Sequence, residues 1–216
     1  MKKTLAAAFL AAALFCGGAS ARQPGLSDAA AGVSTSAAGS AERFDLRAPV
    51  WEGGTALQRA RVNSAVEAEV RRFENHLAEL GQNGAVSGAV RWDAGRADGE
   101  MVSLVVYEST YFDRAAHPTT RAVGMTFDAL GHRVTRADVL AMIPQRTAEE
   151  INGEIEKQAA ERGIPLFPAK WRTVEDWPQE FYVGADNKIY FIFQQYEVAP
   201  YASGFVVVEA GEYKAQ

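Results

Sequence analysis

The chain has 216 residues, 48% of them hydrophobic, which is enough for one sizeable core. Its formal net charge of −5 argues against nucleic acid or anionic lipid as a partner, since both call for clustered cations. A single cysteine excludes any internal disulfide framework.

Lys2 and Lys3 precede an apolar run from Leu5 to Phe15, and Ala19-Ser20-Ala21 places small residues at a cleavage position. That order predicts a Sec signal peptide over 1–21, too short for a membrane span. Cleavage would open the exported chain, periplasmic or extracellular, at Arg22. It would leave 195 residues (216 − 21) at a net charge of −7, because the two lysines depart and no acid does. Cys16 departs too, so thiolate metal sites, c-type haem and a cysteine nucleophile drop out. The alternative is a lipoprotein anchored through Cys16, which would put bulky Phe15 where a small residue is expected. The mature chain is expected to carry no transmembrane helix, and its oligomeric state is not legible.

Residues 22–41 are rich in Ala, Gly and Ser. With almost no large apolar side chain they predict a flexible tether. One domain is expected over 42–216. A strand is predicted from Glu42 to Trp51, broken by Gly53-Gly54. Thr55 with Gln58 then forms a T-x-x-Q capping box. Val62, Val66, Val70, Phe73, Leu77 and Leu80 follow at helical spacing, one apolar stripe that ends at Gly81 as a C′ stop.

Three strands are predicted next, over 85–93, 100–113 and 119–128, the last two as a hairpin around "RAAHP". Thr135 caps a short helix that Pro144 ends. Thr147 with Glu150 caps a second long helix, with Ile151, Ile155 and Ala159 as its buried stripe and Gly163 and Pro165 at its close. A loop over 166–179 holds Phe167, Trp171 and Trp177. Strands over 180–183 and 188–195 pair around Asp186-Asn187, and 205–210 forms the last. The order β-α-β-β-β-α-α-β-β-β predicts an α+β domain, a mainly antiparallel sheet with two main helices packed on one face.

No reaction is legible. Of the three histidines, His76, His117 and His132, no two stand at i, i+4, and no H-E-x-x-H occurs, so no metal ligand set is predicted. There is no G-x-S-x-G, no P-loop and no G-x-G-x-x-G, so neither catalytic residues nor a cofactor are assigned. His117 sits at the hairpin tip beside Pro118, a local turn former or a binding group. Trp171 and Trp177, flanked by prolines, either close the core beneath their loop or anchor a ligand. Tyr196 and Tyr201, with Glu197 between them, either pack over the sheet edge or form a recognition edge. In the same turn Pro200 fixes the bend, and Gly204 permits positive φ.

The stretch "FYVGADNKIYFIFQQYEVAPYASGFVVV" resembles the closing signature of the extracellular domain shared by RsiV-type anti-sigma factors and PdaC-type peptidoglycan deacetylases. Tyr196, Ala199, Pro200, Tyr201, Ala202 and Gly204 match its turn. Upstream, His117, Phe127, Gly131, Thr135 and Asp138 match the family's hairpin and helical start. The resemblance spans Phe44 to Glu212, with Ala115-Ala116 where many relatives carry Gly-Gly, which makes for a stiffer tip. It implies a non-enzymatic binding module of the cell envelope, with peptidoglycan or a lysozyme-like hydrolase as partner. Binding would fall on His117, Tyr196, Glu197, Tyr201, Trp171 and Trp177. Sigma-factor control and deacetylation do not transfer, since the segments that carry them are not among these residues. The alternative is a cell-wall glycan hydrolase using Glu108, Asp113 and His117.

Overall fold

The computed structural model describes residues 33–39, 44–82, 85–172 and 174–214. The expected signal peptide, Cys16 and most of the expected tether lie outside them. Strand β1 (Val33–Gly39) is the exception: it pairs antiparallel with β2 (Phe44–Trp51), so this part of the expected tether is an edge strand. A ladder is made by backbone groups, which a segment poor in large side chains still supplies.

Helix α1 (Ala56–Gly81) follows, then β3 (Val86–Ala97), β4 (Val102–Phe112) and β5 (Thr119–Phe127). The sheet order is β1-β2-β3-β4-β5. Only β2 and β3 run parallel, over Phe44–Leu46 and Gly88–Val90, and α1 is the crossover that a parallel pair requires. Val62, Val66, Val70, Phe73 and Leu77 are all buried against this sheet, while Leu80 is half-buried.

The caps differ in detail from the sequence reading. Thr55 accepts from the Gln58 backbone N–H, but the Gln58 side chain does not return to Thr55. It accepts from the Trp51 indole and donates to the Asp128 carbonyl, so the box is only half closed. The helix also runs through Gly81, and right-handed Gln82 caps it. Both later helices, α2 (Arg136–Leu140) and α3 (Ala148–Glu161), carry full capping boxes, at Thr135/Asp138 and Thr147/Glu150.

Strands β6 (Phe181–Val183), β7 (Lys188–Phe193) and β8 (Val206–Glu212) form a second, antiparallel sheet. The fold is α+β as expected, but the single sheet with helices on one face is two sheets face to face. Alternation explains it. On β7, Ile189, Phe191 and Phe193 join the core under α2 and α3, whereas Tyr190 and Ile192 face Val105 and Tyr107 of β4. A strand apolar on both sides has to be covered on both, so the helices lie on the two outer faces.

The sheets meet without side chains at two points. A Cβ on Gly124 would lie 1.8 Å from the Phe181 carbonyl oxygen, and one on Gly95 would lie 2.1 Å from that of Val183. Only glycine permits so close an approach.

Candidate functional site

The residues that gather into a site come from the β4–β5 hairpin tip and the connection between β7 and β8. The connection opens on Gln194, whose carbonyl accepts from Glu197 N–H at 3.1 Å and whose N–H donates to the Glu197 carboxylate at 2.7 Å. This turn puts Tyr196 at φ 66°, unusual for a residue with a Cβ. Pro200 leads into a 3-10 turn over Tyr201–Ser203, and Gly204, at φ 67° and ψ −140°, releases the chain into β8. The hairpin tip is held by Ala115 N–H on the Phe112 carbonyl and by the Tyr111 hydroxyl on the Ala115 carbonyl.

His117 and the two tyrosines meet there. His117 Nδ1 lies 3.0 Å from the Pro118 carbonyl, which can only accept, so Nδ1 carries the proton. Nε2 lies 3.1 Å from the Tyr196 hydroxyl, which donates to it when Nδ1 alone carries a proton. The imidazole stacks on Tyr201, centroids 3.7 Å apart, and the Tyr201 hydroxyl donates to the same Pro118 carbonyl at 3.0 Å. A cleft of about 270 Å³ lies here, lined by His117, Tyr196, Tyr201, Thr119, Thr120, Arg121, Gln194 and Gln195.

Both glutamines hold the outer edge of β5. The Gln194 carboxamide accepts from Ala122 N–H and donates to the Ala122 carbonyl, each at 2.9 Å. Gln195 Oε1 accepts from Thr120 N–H at 3.2 Å. Thus "QQYEVAPY" is a clasp that ties the second sheet to the free edge of the first. Sequence reasoning singled out its tyrosines and missed its glutamines. The available signal was two adjacent carboxamides directly after an apolar strand, where ordinary turn residues would do.

The other expected binding residues lie elsewhere. Glu197 folds back on Gln194 and does not line the cleft. Trp177 is 4% exposed, stacked on Phe191 at 4.9 Å, and so belongs to the core under α3 rather than to a ligand surface. Trp171 is 65% exposed on a 3-10 turn, with the Lys170 ammonium 5.2 Å from its ring centre.

The residues considered for hydrolysis are not brought together in one cleft. Glu108 is 4% exposed and faces α1, where Arg72 holds both its oxygens at 2.8 Å. Burial pushes its carboxyl up to about 7 against the pull of Arg72, with the neighbouring Glu69 adding to the rise. Arg121 stands 3.7 Å from both acids and pairs with Glu180 at 3.0 Å. Asp113 is exposed, and neither it nor Glu108 lines the His117 cleft. Among the described residues no three His, Asp or Glu side chains gather as a metal site, and no helix is long and apolar enough to cross a membrane.

The fold and the clasp together define an α+β domain with a cleft at a sheet edge, and a second, larger hollow of about 370 Å³ lies between α3 and β8, lined mainly by charged side chains such as Arg146, Glu154, Lys157 and Glu209. Residues 142–209, which include the entire clasp segment, match a family described as Protein of unknown function (DUF3298). Seven solved chains match as well. A DUF3298 family protein from Pseudomonas aeruginosa PAO1 is similar over 83% of this chain and 87% of its own, at 11% identity and a TM-score of 0.50. A member from Bacteroides fragilis NCTC 9343 covers 78% of this chain and 80% of its own, at 13% identity and a TM-score of 0.45. The first likeness is one of fold alone. No curated protein matches.

Proposed function

We propose that the chain is an exported, non-enzymatic binding module of the bacterial cell envelope. Its His117–Tyr196–Tyr201 cleft takes peptidoglycan or a lysozyme-like cell-wall hydrolase. The observation behind this is convergence: His117 and Tyr196, 79 positions apart, share a hydrogen bond at the mouth of one cleft. Aromatic rings with hydroxyls at their rims suit a ligand that is partly apolar and partly wet.

Two further points support binding over catalysis. A glycosidase holds two carboxyls roughly 5 to 10 Å apart across its substrate, and this cleft is lined by none. The expected −7 of the exported chain also favours encounter with a cationic hydrolase. The resemblance to RsiV-type and PdaC-type domains points to the same partners.

Retention on purified peptidoglycan and on immobilised lysozyme, at low and high salt, tests the proposal. Tyr196 is 55% exposed, so Tyr196→Ala removes a rim group without opening the core. It should weaken retention about tenfold, as loss of an aromatic anchor does. Undiminished retention in that variant would remove the cleft from the proposal. No retention of either material by the native chain would end the proposal itself.

A further inference from the structure

We propose that the outer edge of β5, from Pro118 to Ala122, accepts an extended peptide by strand addition, with Gln194 and Gln195 as placeholders that swing out when it enters. This rests on the cleft being the binding site and names what the cleft takes: peptide backbone rather than a sugar ring.

An edge strand turns the N–H and C=O of every second residue outward, ready to pair. On β5 these residues are Thr120, Ala122 and Gly124. Gln194 makes with Ala122 the two bonds that one residue of a neighbouring strand would make, and Gln195 makes one with Thr120. At Gly124 the closing side chains are charged and the second sheet comes closest. Glu180 accepts its N–H, Arg133 donates to its carbonyl, and β6 lies so near that not even a Cβ fits. The edge is thus held by side chains at all three residues, by charged groups with β6 packed close across the face at Gly124, and by neutral carboxamides at Thr120 and Ala122. The cleft lies over the part held by carboxamides, not over Gly124.

Two other carboxamides close edges in the same way. Asn63 pairs with the N–H and C=O of Trp51, and Gln158 with those of Glu209. Both project from long helices, α1 and α3, whose backbones are fixed by packing. Gln194 and Gln195 instead sit in the connection beyond β7, next to left-handed Tyr196. Theirs is the clasp that rotation about side-chain bonds can open.

The chemistry favours a peptide. Its backbone carries donors and acceptors at strand spacing, so Thr120 and Ala122 exchange one set of bonds for another while the glutamine amides pass to water. The aromatic faces suit a sugar less well, because His117 and Tyr201 already cover one another. At about 3.3 Å per residue, Pro118 to Ala122 seats three to five residues of a strand.

The probe is a blocked hexapeptide of alternating threonine and valine, titrated into the full chain and followed by the backbone amide signals of Thr120 and Ala122. Its analogue N-methylated at every second amide and a tetramer of N-acetylglucosamine are the comparison ligands. The hexapeptide should shift both signals and slow their hydrogen exchange, and the methylated analogue should not. Gln194→Ala/Gln195→Ala, and separately Gln194→Met, which keeps length without donor or acceptor, should bind it about fivefold or more tightly, because the competing clasp is gone. Equal binding by the methylated analogue, or no gain in either variant, would overturn strand addition. A sugar tetramer that shifts Tyr196 and His117 but leaves both amides still would overturn it too, yet leave the cleft as a binding site. Peptide binding by a chain that retains neither peptidoglycan nor lysozyme would support strand addition and sink the envelope partners instead.

Discussion

The five-stranded sheet is finished in two different ways. Its face is covered by α1, through five fully buried apolar side chains at helical spacing. Its β5 edge is closed by single polar side chains sent from the second sheet. Burying an apolar side chain contributes about 1.5–3 kcal/mol, whereas one hydrogen bond contributes about 1 kcal/mol net. The face therefore carries the stability, and the edge, worth a few kcal/mol in all, fixes where the second sheet and the cleft sit. A region that contributes little to stability is free to open, as a binding site must.

The sharpest way to break this comparison is at the face. Phe73 is buried in the α1 stripe, and Phe73→Ala should cost about 3–5 kcal/mol in urea unfolding, more than any single change in the clasp. A smaller loss than that of Gln194→Ala would invert the ranking.

Next in size is Glu108, an ionisable side chain buried within that face. Glu108 faces Glu69 and Arg72 from α1 and Arg121 from β5, and burial raises its carboxyl from 4.5 to about 7. The folded state then holds a proton that the unfolded state has released between those values. Stability from this group is full below pH 4.5 and is lost as pH rises through about 7. Its ceiling is about 3 kcal/mol, reduced by Glu69, which is held below its ordinary value and works in the opposite sense. Urea midpoints at pH 5, 6.5 and 8 should fall with pH for the native chain and flatten in Glu108→Gln. A native midpoint that climbs over this window would show that Arg72 keeps Glu108 ionised.

The same contrast decides what was legible in the sequence. The stripe from Val62 to Leu77 announces itself because every buried residue repeats a period, and the caps at Thr135 and Thr147 are local patterns. The hairpin around Asp186-Asn187 is local too, with Asn187 at φ 63°. The split into two sheets is written in β7, where five consecutive apolar residues exceed what a one-sided sheet can cover. What is not legible is pairing at a distance. Gln58 has the form of a capping-box residue, yet its side chain serves Asp128, 70 positions away. Gln194 reaches Ala122 across 72 positions, and a lone polar residue has no period to reveal its partner. His117, Tyr196 and Tyr201 were each singled out, but their meeting depends on the docking of two sheets. Trp177 illustrates the limit of a local reading: its proline-flanked loop is compatible with a core lid or a ligand anchor, and only the packing under α3 decides for the core.

The smallest expected effect is the most discriminating for the edge. Gln194→Ala leaves Ala122 N–H and C=O without their side-chain partner, a loss of about 1–2 kcal/mol if water enters from the cleft to replace it. The Ala122 amide should then exchange with solvent markedly faster, while amides of β4 hold their protection, because the face under α1 is untouched. A loss comparable to that of Phe73→Ala would mean that no water reaches the edge and the clasp is a fixed part of the core. An edge so sealed could not exchange its glutamine for a strand, and β5 would then be closed by design at every outward-facing residue from Pro118 to Gly124.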